Sequence, residues 1–144
     1  MPPCIFCDIL AGKAPASFVF QDELCAAFMD IHPVNPGHVL VVPYRHAELL
    51  TMLDLDSAGR MMQVALKVDT ALRLSGLPCQ GVNLFLADGR TAGQEVPHVH
   101  LHVIPRYHGD GHQLRFSSAY FTTVTEAKLE KAAKMICAHM EINQ

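Results

Sequence analysis

Pro97-His98-Val99-His100-Leu101-His102-Val103-Ile104-Pro105-Arg106 sets three histidines at alternate positions among bulky apolar residues. Val99, Val103 and Ile104 are β-branched, so the segment is expected to be a strand, one that Pro105 would end. Side chains alternate faces along a strand. The imidazoles of His98, His100 and His102 therefore share one side, with neighbouring Cβ atoms roughly 6–7 Å apart. Imidazole titrates near neutrality and serves as nucleophile, proton shuttle or metal ligand, so such a face is a concentrated row of bases.

Upstream of that row, Asp88-Gly89-Arg90 and Ala92-Gly93-Gln94 make a glycine-containing loop. Glycines let a backbone approach a ligand closely and turn successive N–H groups toward an anion. Further back, Gly81–Ala87 is expected to be a strand. From Asp54 to Ser75 the apolar residues Ala58, Met61, Met62, Ala65, Val68 and Leu72 keep helical spacing, with Asp54 or Asp56 as N-cap and Gly76 beyond the end. His38–Pro43 is expected to be a buried strand after a breaker cluster holding Pro33, Asn35, Pro36 and Gly37. Ser17–Phe20 and Leu24–Phe28 are expected to pair antiparallel around Gln21-Asp22-Glu23. A last amphipathic helix is expected over Thr125–Met140, in a packing or dimer role. Paired strands with short connections and helices on one face give an α+β class, not repeated βαβ units.

The chain has 144 residues, half of them apolar, and a formal net charge of −3. That length suits a single domain over 1–144 with a real core. The charge balance and the lack of any Lys/Arg run argue against nucleic acid as partner, because such binding neutralises several phosphates at once. A small anionic ligand remains compatible. Neither a membrane span nor a leader pattern is read, and the chain is expected to be cytoplasmic. Of five cysteines, Cys25, Cys79 and Cys137 stand singly among apolar neighbours and are expected to be core thiols of a reducing compartment. Cys4-Ile5-Phe6-Cys7 is a C-x-x-C. It is either half of a zinc site, which needs two more ligands, or a pair of reduced thiols; no βαβ context follows that would make it a redox motif.

The run G-R-T-A-G-Q-E-V-P-H-V-H-L-H-V-I-P-R resembles the signature of the histidine triad family, alternating histidine and apolar residues. M-D-I-H-P-V-N-P-G-H-V-L-V-V-P-Y-R-H and C-I-F-C-D-I-L-A-G resemble two further family segments, so the likeness spans about the first 106 residues. It implies a HIT-like fold: a five-stranded antiparallel sheet with helices, continued across a homodimer. It also implies a hydrolase for purine nucleotides, either a nucleotide phosphoramidase or a dinucleoside polyphosphate hydrolase. Under that likeness His100 attacks the α-phosphorus and is transiently nucleotidylated, while His102 and Gln94 assist. Asp30 would hold the ribose hydroxyls, and Ile31, Ile5 and Phe6 would wall the base. Gln94, Glu95 and Val96 would meet the phosphate, and Asn83 belongs to the same substrate-binding set. Bacterial-type members close a structural zinc shell of the kind Cys4, Cys7, His46 and His98 would form here. Because the triad ends in His102, where the transferase branch carries Gln, hydrolysis is favoured over transfer.

Two departures bear on substrate range. Ala87 stands where many members carry Asn or Gln, and Glu95 where many carry Ser or Thr. A carboxylate beside a phosphate repels it unless protonated or turned away, yet could favour an amine or lysyl leaving group. His38 is expected either to support the sheet or to lie near the triad, and His32, His108, His112 and His139 to be surface residues. Two other functions compete. One is a metal-dependent hydrolase or oxygenase with the histidine row as ligands, although residues that alternate along one strand converge poorly on one ion. The other is a nucleotide-binding or scaffolding protein with little turnover.

Overall fold

The structure, a computed structural model, describes residues 2–140. Expected as one domain, the chain packs as two compact units, the first ending at His112 and the second beginning at Gln113. The first unit holds β1 (Phe18–Gln21), β2 (Cys25–Met29), β3 (Val39–Pro43), β4 (Gly81–Phe85) and β5 (Leu101–Arg106). They form one five-stranded sheet in the order β1-β2-β3-β5-β4, every pair antiparallel. Asp22 sets the first hairpin by accepting the N–H groups of Leu24 and Cys25 on one carboxylate oxygen, each at 2.8 Å.

Every residue of β3 is buried, because this central strand is covered on both faces. On one face Cys25, Ala27, Val39, Val41, Leu101 and Val103 pack against α2 (Leu55–Leu74) through Met61, Val64, Ala65, Val68 and Leu72. Asp54 caps α2 by accepting the Ser57 N–H at 2.9 Å, and acid-to-Ala changes at such caps cost about 1 kcal/mol. The other face carries Phe28, Leu40 and Val42, covered by Phe6 and Ile9 of α1 (Ile5–Leu10). Helices thus lie on both faces, which corrects the one-sided expectation. The six residues of α1 are too few to show helical periodicity in sequence.

The triad segment also departs from expectation. β5 begins at Leu101, so His98 and His100 precede it, and it continues through Pro105 to Arg106. Alternation nevertheless holds across the boundary: Val99, Leu101 and Val103 join the α2 core, and the histidines take the α1 face. Pro105 is tolerated for a local reason. The carbonyl of Arg106 accepts from Gln80 on the β4 side, whereas that of Pro105 points the other way and accepts from Asn35 Nδ2 at 2.9 Å. There the β3 ladder has already stopped at Val39, so the missing N–H breaks no ladder bond.

The second unit contains α3 (Glu126–Cys137), capped by Thr125, whose hydroxyl accepts the Lys128 N–H at 3.4 Å. It starts where the sequence predicts and stops at Cys137, short of Met140. Of the single cysteines, Cys25 is a core thiol, Cys79 is half-buried and Cys137 is exposed. No helix among the described residues is long and apolar enough to cross a membrane.

Candidate functional site

Two backbone carbonyls, those of Pro43 and His98, and the backbone N–H of Val34, which donates to His38 Nδ1 at 3.0 Å, decide how the histidines are protonated. The Nε2 of His98 lies 2.9 Å from the carbonyl of Pro43. A carbonyl only accepts, so Nε2 carries the proton and Nδ1 is left as a lone pair. That Nδ1 faces Cys4 Sγ at 3.4 Å, Cys7 Sγ at 3.6 Å and His46 Nδ1 at 3.2 Å, and Cys7 Sγ lies 3.3 Å from His46 Nδ1. These separations suit the edges of a tetrahedron whose metal bonds are about 2.0–2.3 Å long. Two sulfurs and two imidazole nitrogens therefore face one common point, the donor set and geometry of a structural zinc site. Without a cation, burial and the neighbouring Cys4 push the Cys7 thiol up to about 11. A bound divalent ion would reverse that cost by drawing the thiolates to itself.

His100 is oriented by the metal ligand's own main chain. Its Nδ1 donates to the carbonyl of His98 at 2.7 Å, leaving the lone pair on Nε2. No buried side-chain nitrogen among the described residues lacks a partner, so this unbonded Nε2 opens to solvent. Phe6 backs the ring edge-on at 5.0 Å, and the ring of His102 also lies 5.0 Å away. Burial lowers the basicity of His98 and His100, keeping both imidazoles neutral. His102 is pushed down to about 4, first by burial and then by His100 and His38 beside it. His38, 2 % exposed, lies with Nε2 2.8 Å from His102 Nδ1 and 3.5 Å from an Asp30 oxygen. The same Asp30 oxygen is 3.8 Å from His102 Nδ1, while its other oxygen accepts the His32 N–H at 2.8 Å.

The remaining expected site residues divide. Ile5 and Ile31 are exposed, at 51 % and 84 %, whereas Phe6 is buried beneath the imidazoles and offers no open wall. Gln94 is also buried, and its amide is used inside the loop. It donates to the carbonyls of Glu48 and Val96 and accepts from the Gly89 N–H, so it fastens the loop and has no amide hydrogen to spare for a ligand. Glu95 is exposed, and its charge acts on His100 against the effect of burial. Asn83 is exposed, and its side-chain oxygen accepts from Arg106 Nη1 at 2.7 Å. Ala87 is buried and supplies no polar contact.

Sequence reasoning passed over Phe85, which pairs with His102 across β4 and β5 and brings its ring within 5.7 Å. The period of two in β4 held that signal. The three triad histidines do not converge on one ion, since His98 turns to the cysteines and His100 to a carbonyl, which removes the expected alternative of a catalytic metal on the row. A groove of about 380 Å³ between β1 and α2, lined by Phe20, Met29, Val68 and Leu72, lies on the α2 side, away from the histidines.

The HIT domain model matches residues 11–109, from the end of α1 through β5. The chain belongs to the histidine triad, or HIT, family. An uncharacterised HIT-like protein of Methanocaldococcus jannaschii is 44 % identical over 113 residues, 78 % of this chain and 86 % of the relative. A zinc-bound HIT structure from Mycobacterium smegmatis is 39 % identical with a TM-score of 0.74, over 80 % of this chain and 83 % of that one. A histidine triad nucleotide-binding protein of Candida albicans is 27 % identical with a TM-score of 0.84, covering 96 % and 97 %. Membership carries the HIT fold, with its open five-stranded antiparallel sheet, and suggests the family's nucleotide-binding hydrolase or transferase chemistry.

Proposed function

We propose that this HIT protein hydrolyses purine nucleotides at the α-phosphate, cleaving a phosphoramidate or phosphoanhydride bond through a covalent nucleotidyl-histidine. The observation that carries the reading is His100: buried and neutral, with Nδ1–H held by the His98 carbonyl and the Nε2 lone pair open to solvent. That lone pair attacks phosphorus, and the leaving nitrogen or oxygen departs with the bonding pair and takes a proton. Water then attacks the phosphorus, His100 leaves with its electron pair restored, and a nucleoside monophosphate is released. His102 beside it donates to the phosphoryl oxygens. The N–H groups of Glu95 and Val96, which meet no backbone acceptor among the described residues, supply further donors. Asp30 accepts from the ribose hydroxyls, with Ile31 and Ile5 as apolar contacts to the base.

Cys4, Cys7, His46 and His98 would hold a structural zinc ion, as the geometry of the four donors and the zinc-bound relative support. The metal's part is to fix His98, whose carbonyl in turn orients the nucleophile. The homodimer expected from the family would form at the outer edge of β4, where Leu84 and Phe85 are exposed at the end of the sheet.

The test uses a fluorescent adenosine 5′-phosphoramidate. Wild type is expected to turn over and, on acid quench, to carry one nucleotidyl group by mass. His100→Ala is expected to lose roughly a thousandfold or more in kcat and to carry none. Nucleotide binding without turnover in wild type would instead indicate a binding or scaffolding role.

A further inference from the structure

We infer that the groove between β1 and α2 binds a single-chain fatty carboxylate, with the tail along its apolar walls and the head on Lys67. An irregularity in the edge strand builds the groove. Phe18 pairs with Phe28 and Phe20 with Ala27, so Val19 is the extra residue of a bulge. The ring of Phe18 meets Phe28 at 5.7 Å on the α1 face, whereas Val19 and Phe20, successive in sequence, both line the groove on the α2 side. A regular strand would send one of those two to the opposite face. The helical wall is the row Lys67, Ala71 and Ser75, four residues apart on α2 and its C-cap. Ala71, in the middle of that row, carries only a methyl group and leaves the space open.

Ser75 and Lys67 are the polar side chains of the groove, and only one is spent. The Ser75 hydroxyl donates to the Leu72 carbonyl at 2.8 Å and accepts the Leu77 N–H at 3.2 Å. The Lys67 ammonium stands 6.0 Å from the centroid of the Phe20 ring and has no carboxylate partner among the described residues. Arg60 shares that ring at 5.7 Å, but its guanidinium is committed to Asp22 at 2.5 Å and to Gln63 at 2.8 Å. One unpaired positive charge on an otherwise apolar groove is complementary to a molecule with one negative end and a hydrocarbon body. A volume of about 380 Å³ lies at the small end of the range for ligand sites, which suits one chain and not a two-chain lipid.

The test titrates the full chain with hexanoate, octanoate and decanoate below their micelle concentrations, read by calorimetry and by ¹H–¹⁵N amide spectra. A single site per chain is expected, with the amides of Val19, Phe20 and Ala71 shifting and those of residues 89–94 unmoved. Kd is expected to fall about two- to fourfold for each added methylene. Decanol is expected to bind about three- to fivefold more weakly than decanoate, and Lys67→Met to abolish that difference without weakening decanol. Ala71→Leu fills the groove and is expected to raise Kd for both ligands about tenfold, the equivalent of nearly two buried methylenes. A wild-type Kd indifferent to chain length would overturn the inference, whether or not either variant folds. So would decanoate and decanol binding alike, or decanoate binding unchanged in a folded Ala71→Leu protein. Shifts of the Val19 and Ala71 amides on dilution of the protein, with none on adding decanoate, would place a second copy of the chain on the groove and overturn it as well.

Discussion

Burial sets the basicity of the imidazoles at the site. His102 has its basicity pushed down to about 4, by burial first and then by His100 and His38, and burial also lowers that of His38. In the unfolded chain both would titrate near 6.5. Between these values the unfolded state binds more protons than the folded one, so stability is fully present above about pH 6.5 and is lost as pH falls toward 4. Urea midpoints are accordingly expected to drop from pH 7 to pH 5, and less steeply in His102→Gln. An unchanged slope in that variant would show that His102 does not carry the effect. The shared face of the three histidines was legible from their spacing alone. What each one does was not, because the partners that decide it are the main-chain carbonyls of Pro43 and His98 and the N–H of Val34, which no side-chain pattern records. Gln94 misled for a related reason: an amide suits either a ligand or a loop, and only the positions of the Glu48 and Val96 carbonyls assign it to the loop.

Among the elements, β2, β3, β4 and α2 fall near their expected ranges because their apolar runs or helical spacing are bounded by glycine, proline or a capping aspartate. α1 leaves no signal in the sequence, since six residues bury only Phe6 and Ile9 firmly and its role emerges only against β3. β5 starts later than the alternation predicts because alternation outlasts the ladder, and it runs past Pro105 because the bond that Pro105 cannot make lies where β3 has ended. That junction depends on Gly37, whose φ of +98° excludes most side chains. A Cβ there would come within 2.9 Å of Leu72 Cδ2, 3.0 Å of Leu77 Cδ1 and 3.3 Å of Pro105 Cγ. Gly37→Ala is therefore expected to destabilise by about 2 kcal/mol or more, from left-handed strain and the displaced α2 contact together. Gly59, whose Cβ would meet nothing within 4 Å and which lies within α2, is the control. Gly59→Ala is expected to stabilise by about 0.5–1 kcal/mol in the same denaturation experiment.

At the scale of the whole molecule, metal and chemistry meet in one residue. The ring of His98 faces the cysteines, and its carbonyl holds the His100 proton. Removing zinc with a strong chelator is expected to lower kcat several-fold through misorientation of His100. It is also expected to raise amide hydrogen exchange over residues 5–10 while α2 stays protected. Protection of residues 5–10 that is indifferent to chelation would show that α1 is held by Phe6 and Ile9 alone. The cluster joins sites 39 and 52 residues apart in sequence, Cys7 to His46 and His46 to His98. Closing such long loops is an entropic cost that a bare chain meets late, after its local hairpins and helices have formed. An ion captured early by the cysteine pair would tether the start of the chain to β3 and β5 before the sheet is complete. The sequence of folding events would then depend on which of the two arrives first, the metal or the sheet.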